Sequence, residues 1–172
     1  MKLLSQKEAI QRLDKLKTKY RQNIAENYEH NAKDCLTCET KGACCLDAHF
    51  VNIHITRLEA EAMRKVLNEF DEIKRTEINQ RISATIEKYK LKDSGDTFAQ
   101  TFACPLFEKG TGCLVHSVKP VPCIQHACYE RREDLPPDDL QEETERKIER
   151  LNQQTYGDSN WLPLPIYLVQ KV

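Results

Sequence analysis

This chain has no long hydrophobic run, and its 172 residues include only five glycines and one tryptophan. No apolar stretch approaches the roughly twenty residues that a transmembrane helix needs. The opening residues, MKLLSQKEAIQRLDK, offer two consecutive leucines before polar residues resume, so we expect no secretory signal. The sequence therefore predicts a cytoplasmic protein with no membrane partner, in a compartment that keeps thiols reduced.

The chain also lacks an excess of either charge. Its 26 lysines and arginines nearly cancel its 27 aspartates and glutamates, leaving a formal net charge of −1. If all its cysteines bound two zinc ions as thiolates, the net charge would fall to about −5. An acidic or neutral protein has no general attraction for phosphate backbones, so a nucleic-acid partner is not favoured.

What the chain does contain is eight cysteines, all confined to two stretches, residues 35–45 and 104–128. They are Cys35, Cys38, Cys44, Cys45, Cys104, Cys113, Cys123 and Cys128. In a reducing compartment, closely spaced cysteines are more often metal ligands than disulfides. Thiolates select zinc, iron–sulfur clusters or copper(I) over harder ions. We predict all eight as metal ligands, with zinc or an iron–sulfur cluster as the cofactor.

The first stretch has the spacing of a ligand turn. Cys35 and Cys38 are separated by two residues, which places two sulfurs on one tight turn. Gly42 lets the backbone curl and bring Cys44 or Cys45 to the same ion. Adjacent cysteines normally point apart, so we expect the Cys44–Cys45 pair to be where the two stretches meet.

Four histidines lie near the cysteines. His116 and His126 each follow a cysteine at a spacing found among zinc ligands. Because eight thiols are already available, we interpret both as surface residues or hydrogen-bond donors to a ligand, with ligation left open. His49 and His54, just beyond the first stretch, are interpreted in the same way.

Hydrophobic periodicity predicts helices on both sides of the cysteines. Residues 5–29 carry apolar residues at three- and four-residue steps, and Ser5 and Glu8 have the spacing of a capping box. Thr56 and Glu59 repeat that signature and open a second helical region.

The second helical region changes phase at residues 68–76, which predicts either two helices or one kinked helix. A last helix is expected over residues 138–156, with Gly157 as its stop. The tail, residues 161–169, is apolar and contains prolines, so we expect it to be extended. We expect this tail to dock on the core, with binding of a protein partner as the alternative.

The remaining segments are irregular. Residues 51–55 alternate apolar and polar side chains like a short strand. Residues 98–128 have only short apolar runs, so we expect a metal to hold them. The fold class predicted is mainly α: a small helical domain around an irregular, cysteine-rich metal-binding centre with at most short strands. One domain is expected over residues 1–172, with the N-terminal helix in 1–34, the metal-binding core in 35–128, and the C-terminal helix and docking tail in 129–172.

The ordered set of motifs resembles one known family. Cys-x2-Cys, Gly-x-Cys-Cys and Thr-x-x-Glu are followed by Cys-Pro-Leu-Phe, Gly-x-Cys, Lys-Pro-x-x-Cys and a final cysteine. This order is similar to the YkgJ-type family of zinc- or iron-chelating cysteine-cluster (CxxCxxCC) proteins, over residues 35–128. The chain departs from the usual family pattern at His116, Lys119 and Ile124, and in the longer gap before the adjacent cysteines. The resemblance implies metal binding by cysteines and does not define a biochemical role.

Four functions follow from these observations. The first is a structural or storage module with closed four-thiolate zinc sites. The second is an iron–sulfur protein for electron transfer, or an accessory protein for a protein-modifying enzyme, since a related cysteine motif occurs in flagellin lysine methylases. The third is an enzyme, which is not favoured because the sequence has no phosphate-binding glycine loop, no nucleophile elbow and no suggestive carboxylate–histidine pair. No catalytic residue is predicted. The fourth is a disulfide-stabilised fold, which a reducing compartment disfavours.

Overall fold

Helices form most of the ordered structure. The computed structural model describes residues 3–33, 39–49 and 51–169. Its helices are α1 (Gln6–Asn27), α2 (Ala43–Leu46), α3 (Arg57–Leu67), α4 (Glu72–Tyr89), α5 (Val121–Gln125), α6 (Asp138–Tyr156) and α7 (Leu164–Val169). None of these helices is long and apolar enough to cross a membrane, within the residues described. The predicted mainly α class is confirmed.

The strands are short and form antiparallel pairs of two residues each. Strand β1 (Ala32–Lys33) pairs with β5 (Cys128–Tyr129), β2 (His54–Ile55) with β6 (Leu162–Pro163), and β3 (Phe107–Glu108) with β4 (Gly112–Cys113). The strand predicted at residues 51–55 is therefore shortened to its last two residues.

Local sequence sets the helix starts. The Ser5 hydroxyl accepts a hydrogen bond from the Glu8 backbone N–H at 3.3 Å, at the start of α1. At the start of α3, the Thr56 hydroxyl accepts from the Glu59 N–H at 3.4 Å, and the Glu59 carboxylate accepts from the Thr56 N–H at 3.1 Å. These reciprocal bonds complete the predicted capping box at Thr56.

The phase change within residues 68–76 marks a break between two helices. Helix α3 ends at Leu67, and α4 begins at Glu72 after Asp71. The Asp71 carboxylate accepts the Lys74 N–H at 2.8 Å and so caps α4. The alternative of one kinked helix is wrong, because the second segment has a cap of its own.

The chain divides into two compact units, each assembled from two separate segments. The first unit comprises Met1–Lys41 and Lys119–Ser159, and the second comprises Gly42–Val118 and Asn160–Val172. The expectation of a single domain remains a prediction.

The first unit packs α1 against α5 and α6. Leu13, Tyr20 and Ile24 of α1 are buried, as is Ile148 of α6. A lysine shares this buried face of α1: Lys17 is only 3% exposed. Its ammonium donates a hydrogen bond to the Lys119 carbonyl oxygen at 3.1 Å. The long apolar stem of the lysine can lie within the core because its charged end reaches an acceptor.

The second unit has a larger and more apolar core. Buried side chains come from α3, α4, α7 and the cysteine-rich segment, which here means residues 98–118. Phe102, Leu106 and Val115 of that segment are almost completely buried. Apolar packing therefore contributes to holding this part of residues 98–128, and the expectation that a metal also holds it remains a prediction.

The C-terminal tail, predicted to be extended over residues 161–169, is extended only at strand β6 and continues as helix α7. Helix α7 includes Pro165, and the prediction is wrong there because proline fits the first turn, where its missing N–H has no partner to bond. The Leu164 N–H donates to the Ile53 carbonyl at 2.9 Å, and Ile166 and Leu168 are buried in the core of the second unit. The tail thus docks within its own unit, and a protein partner for it remains a prediction.

Candidate metal centre

The six cysteines among the described residues form no disulfide, and all are half-buried. Two of the predicted ligands, Cys35 and Cys38, lie outside the described residues. The second unit contains Cys44, Cys45, Cys104 and Cys113, whereas the first contains Cys123 and Cys128. Grouping in space therefore differs from grouping along the sequence, because the break between the units falls after Val118, within the second cysteine stretch.

A glycine starts the short helix that carries the adjacent cysteines. Gly42 has φ 81° and ψ 1°, a left-handed conformation that glycine adopts at little cost. Its carbonyl accepts hydrogen bonds from the N–H groups of Cys45 and Leu46 at 2.9 and 3.1 Å. A Cβ at this position would overlap the ring of Phe107. The glycine thus permits close approach between α2 and the β3–β4 hairpin.

The backbone also joins the two cysteine stretches within the second unit. The Cys104 N–H donates to the Cys45 carbonyl at 2.8 Å. Further along, Phe107 of β3 lies opposite Cys113 of β4. The hairpin therefore holds Cys104 before its first strand and Cys113 in its second. This is the contact that we expected at the Cys44–Cys45 pair, while their sharing of one metal remains a prediction.

The thiols of the second unit influence one another. Burial is the main cause that raises the pKa of Cys45 to about 12, followed by the nearby thiols of Cys44, Cys104 and Cys113. The Cys44 side chain is also hydrogen-bonded to that of Cys45. Four sulfur-bearing side chains from two distant parts of the sequence are thus close enough for their charges to interact.

The surroundings of Cys104 act on the pKa of its thiol in both directions. Burial raises the pKa of its thiol to about 11, and the neighbouring Cys113 adds to this increase. Backbone N–H groups of Leu106 and Phe107 oppose it, because hydrogen bonds to sulfur favour the thiolate, and the positive charge of Arg81 acts in the same direction. A thiolate that ligates a metal is typically stabilised by such hydrogen bonds from neighbouring N–H groups.

The donor chemistry fits a soft metal, whereas the spacing of the side chains is more open than a bound ion requires. Within residues 3–33, 39–49 and 51–169, no three side chains of histidine, cysteine, aspartate or glutamate are grouped so that they could hold a metal ion. Cys44, Cys45, Cys104 and Cys113 would therefore have to move together to ligate one ion. Cys44 and Cys45 lie in α2, Cys113 lies in β4, and Cys104 lies in the loop before β3.

The four histidines near the cysteines differ in their exposure and in their contacts. The His49 side chain is 99% exposed and lies 3.2 Å from the Asp47 carboxylate. His116 and His126 are also exposed. His54 is buried and stacks on Phe98 with ring centroids 4.2 Å apart. Of the two interpretations given for His54, the surface residue is wrong, because its ring is buried against Phe98; its Nδ1 atom lies 2.7 Å from the Asn52 carbonyl oxygen.

Arg81 is a residue that the sequence patterns did not single out. It lies in α4 beside the buried Ile82, and its Nε and Nη2 atoms are buried. Neither atom has a hydrogen-bond partner in the described part of the chain. The only sequence signal is its place next to the apolar stripe of α4, formed by Ile78 and Ile82.

Comparison with protein-family models, with curated proteins and with solved structures found no match for this chain. The resemblance to the YkgJ-type family therefore remains a prediction from the motifs. The case for a function depends on the thiols and their surroundings.

Proposed function

We propose that this protein binds a metal through cysteine thiolates, with Cys44, Cys45, Cys104 and Cys113 as the centre in its second unit. The observation that carries this proposal is the hydrogen bond from the Cys104 N–H to the Cys45 carbonyl, at 2.8 Å. It brings the two cysteine stretches together, and the electrostatic influence of Cys104 and Cys113 on Cys45 reflects the same proximity.

A cation would relieve the cost of this arrangement. Burial and mutual repulsion disfavour thiolates at these positions, as the raised pKa values of Cys45 and Cys104 indicate. A bound metal ion supplies the opposing charge and displaces the thiol protons. Metal uptake should therefore release protons and draw the sulfurs together.

The metal is zinc or the iron of an iron–sulfur cluster, since both accept four thiolates. Zinc with four thiolates has no open position and would serve a structural or storage role. An iron–sulfur cluster would support electron transfer, or assistance to a protein-modifying enzyme. Cys35, Cys38, Cys123 and Cys128 remain the other proposed ligands, and the reducing cytoplasm is the proposed location.

Metal analysis of protein purified without oxygen tests this proposal. Zinc, iron and acid-labile sulfide are measured per chain in the wild type and in the variants C44S, C45S, C104S and C113S. Each cysteine variant should lose metal from the proposed centre. The matched control is Lys109→Gln, which changes an exposed residue between β3 and β4 and should keep the full metal content.

The outcomes separate the alternatives. Zinc without sulfide supports the structural or storage role, and iron with sulfide supports the iron–sulfur role. Wild-type protein that contains no metal, and takes up neither zinc nor an iron–sulfur cluster when these are supplied under reducing conditions, would contradict metal binding. Full metal content in all four cysteine variants would contradict the proposed centre.

A further inference from the structure

Arg81 is half-buried, and its buried Nε and Nη2 atoms have no hydrogen-bond partner among the described residues. Guanidinium N–H groups left in this state are costly, because burial removes their water and nothing replaces it. The N–H groups at Nε and Nη2 therefore need a hydrogen-bond acceptor, and the described backbone and side chains do not supply one.

Helix geometry places Arg81 alongside the hairpin that carries two of the proposed ligands. Lys74, seven residues earlier in α4, forms an ion pair with Glu108 of β3. Seven residues are about two helical turns, so Arg81 and Lys74 share one face of α4. That face packs towards the hairpin, where Cys104 and Cys113 are packed against the core that includes Ile78 and Ile82.

The electrostatics agree with this placement. Burial raises the pKa of Cys104 and the charge of Arg81 opposes that rise, whereas at the Glu108 carboxyl Arg81 adds to the fall in pKa that Lys74 mainly causes. Lys74 pairs with Glu108, and the guanidinium of Arg81 is close enough for its charge to act on both Glu108 and Cys104.

We propose that Arg81 is the counter-charge of the thiolate centre and donates N–H hydrogen bonds to its sulfur atoms once they are ionised. This role rests on the metal binding proposed above, because only a bound metal keeps all four sulfurs as thiolates. Four thiolates and one divalent ion carry a net charge of about −2, by the formal charges of the species. A buried guanidinium reduces that charge and supplies donors in a fixed planar fork. Arg81 is accordingly a positioning residue, and it does not bind the metal itself.

The role predicts opposite effects in the metal-free and metal-bound protein. Arg81→Met removes the charge and the donors while retaining an apolar stem of similar length. In metal-free protein this change removes unbonded buried N–H groups, so stability to urea should stay equal or increase. In metal-bound protein it removes the thiolates' partner, so affinity should fall by roughly 10- to 100-fold, as for other residues that hydrogen-bond metal ligands. A purely structural arginine would lose stability in both forms.

The experiment uses the whole reduced chain with Zn²⁺ and Co²⁺ as probes. Zn²⁺ affinity is measured by competition with a chromogenic chelator, and Co²⁺ binding by its thiolate-to-metal charge-transfer absorption. The variants are Arg81→Met, Arg81→Lys and, as the matched control, Arg75→Met, an exposed arginine on the same helix. We expect wild-type affinity for R75M, an intermediate loss for R81K, and the full loss for R81M with a charge-transfer band moved to longer wavelength.

The two proposals fail in different ways. A wild-type chain that binds neither ion overturns the metal-binding proposal, and the role of Arg81 falls with it. A wild-type chain that binds Co²⁺ through thiolates, together with an R81M variant of unchanged affinity and unchanged band, overturns the role of Arg81 alone. An R81M variant that loses metal-free stability and retains Zn²⁺ affinity also overturns that role and leaves metal binding intact.

Discussion

The two units of this protein differ in the size of their apolar cores, although both bury polar side chains. Buried polar groups occur in both units: Lys17, Thr144 and Asn152 in the first, and His54, Thr56, Glu59 and Thr97 in the second. In the second, one continuous apolar core takes residues from α3, α4, α7 and the cysteine-rich segment. The second unit, which contains the four thiols of the proposed centre, thus has the larger hydrophobic stabilisation of its own. Metal binding there would add to a fold that already exists.

The largest expected effect is on that apolar core. Phe102 has no exposed surface. Phe102→Ala should lower the free energy of unfolding by about 3–5 kcal/mol, because it removes apolar contact and leaves a cavity. Urea denaturation of metal-free protein measures this loss. A loss below about 1 kcal/mol would contradict a core that supports the cysteine-rich segment without metal.

The next effect concerns the glycine beneath Phe107. Gly42→Ala adds a Cβ that overlaps the Phe107 ring and places alanine in a left-handed conformation. We expect a loss of about 2–3 kcal/mol from strain and overlap together. Gly110→Ala is the matched control, since Gly110 has φ 89° with open space around the new Cβ, and should lose only about 1 kcal/mol. Thermal unfolding of both variants measures these losses. The double variant Gly42→Ala, Phe107→Ala removes the overlapping ring and so separates overlap from backbone strain. Equal losses of stability in G42A and G110A would contradict the close approach of Gly42 to Phe107.

A smaller effect compares a helix cap in each unit. Thr56 caps α3 and is fully buried, whereas Ser5 caps α1 and is exposed. Thr56→Ala should lose about 1–2 kcal/mol and Ser5→Ala about 0.5 kcal/mol, because only the buried cap leaves its N–H partner without water. Urea unfolding of the two variants gives the difference. If Ser5→Ala were the more damaging change, the contrast between a buried and an exposed cap would be wrong.

The smallest effect is a dependence on pH. Burial lowers the pKa of His54 below its ordinary value of 6.5. The unfolded chain therefore takes up a proton at a pH where the folded second unit does not, and folding stability decreases as pH falls below about 6.5 until the folded pKa is reached. His54→Gln should flatten this part of the stability curve, measured by urea unfolding at pH values from about 7.5 to about 5, on either side of the ordinary histidine pKa. His49→Gln, at an exposed position, should leave the curve as in the wild type.

Local signals in the sequence were sufficient for the main helices. The Thr56 capping box and the Gly157 stop are short-range features, and both helix boundaries appear where they were predicted. The phase change of the apolar stripe located the break before α4, and the Asp71 cap fixes where α4 begins. These features depend on hydrogen bonds within one or two turns, so the sequence carries them almost completely.

Long-range packing is what the sequence did not reveal. Helix α7 forms at a proline-containing tail because the core of the second unit accepts Leu164 and its neighbours, which overrides a weak local preference. For the candidate centre, the spacing of the cysteines suggested the chemistry, and a meeting of the Cys44–Cys45 pair with the second stretch was predicted, although not the residue, Cys104, that it contacts. The division of the second cysteine stretch between two units, and the unbonded Nε and Nη2 atoms of Arg81, both depend on contacts between distant segments.

The path of the chain through the two units has a kinetic consequence. The polypeptide passes from one unit to the other after Lys41, after Val118 and again after Ser159. Neither unit can be completed until a late segment arrives, α6 for the first and α7 for the second. Closing such long loops slows folding, because the entropy is lost before the contacts form. During synthesis the thiols of the second unit would therefore stay accessible until α7 has emerged from the ribosome. If the protein binds metal as proposed, insertion of the metal would meet the least steric hindrance in that interval.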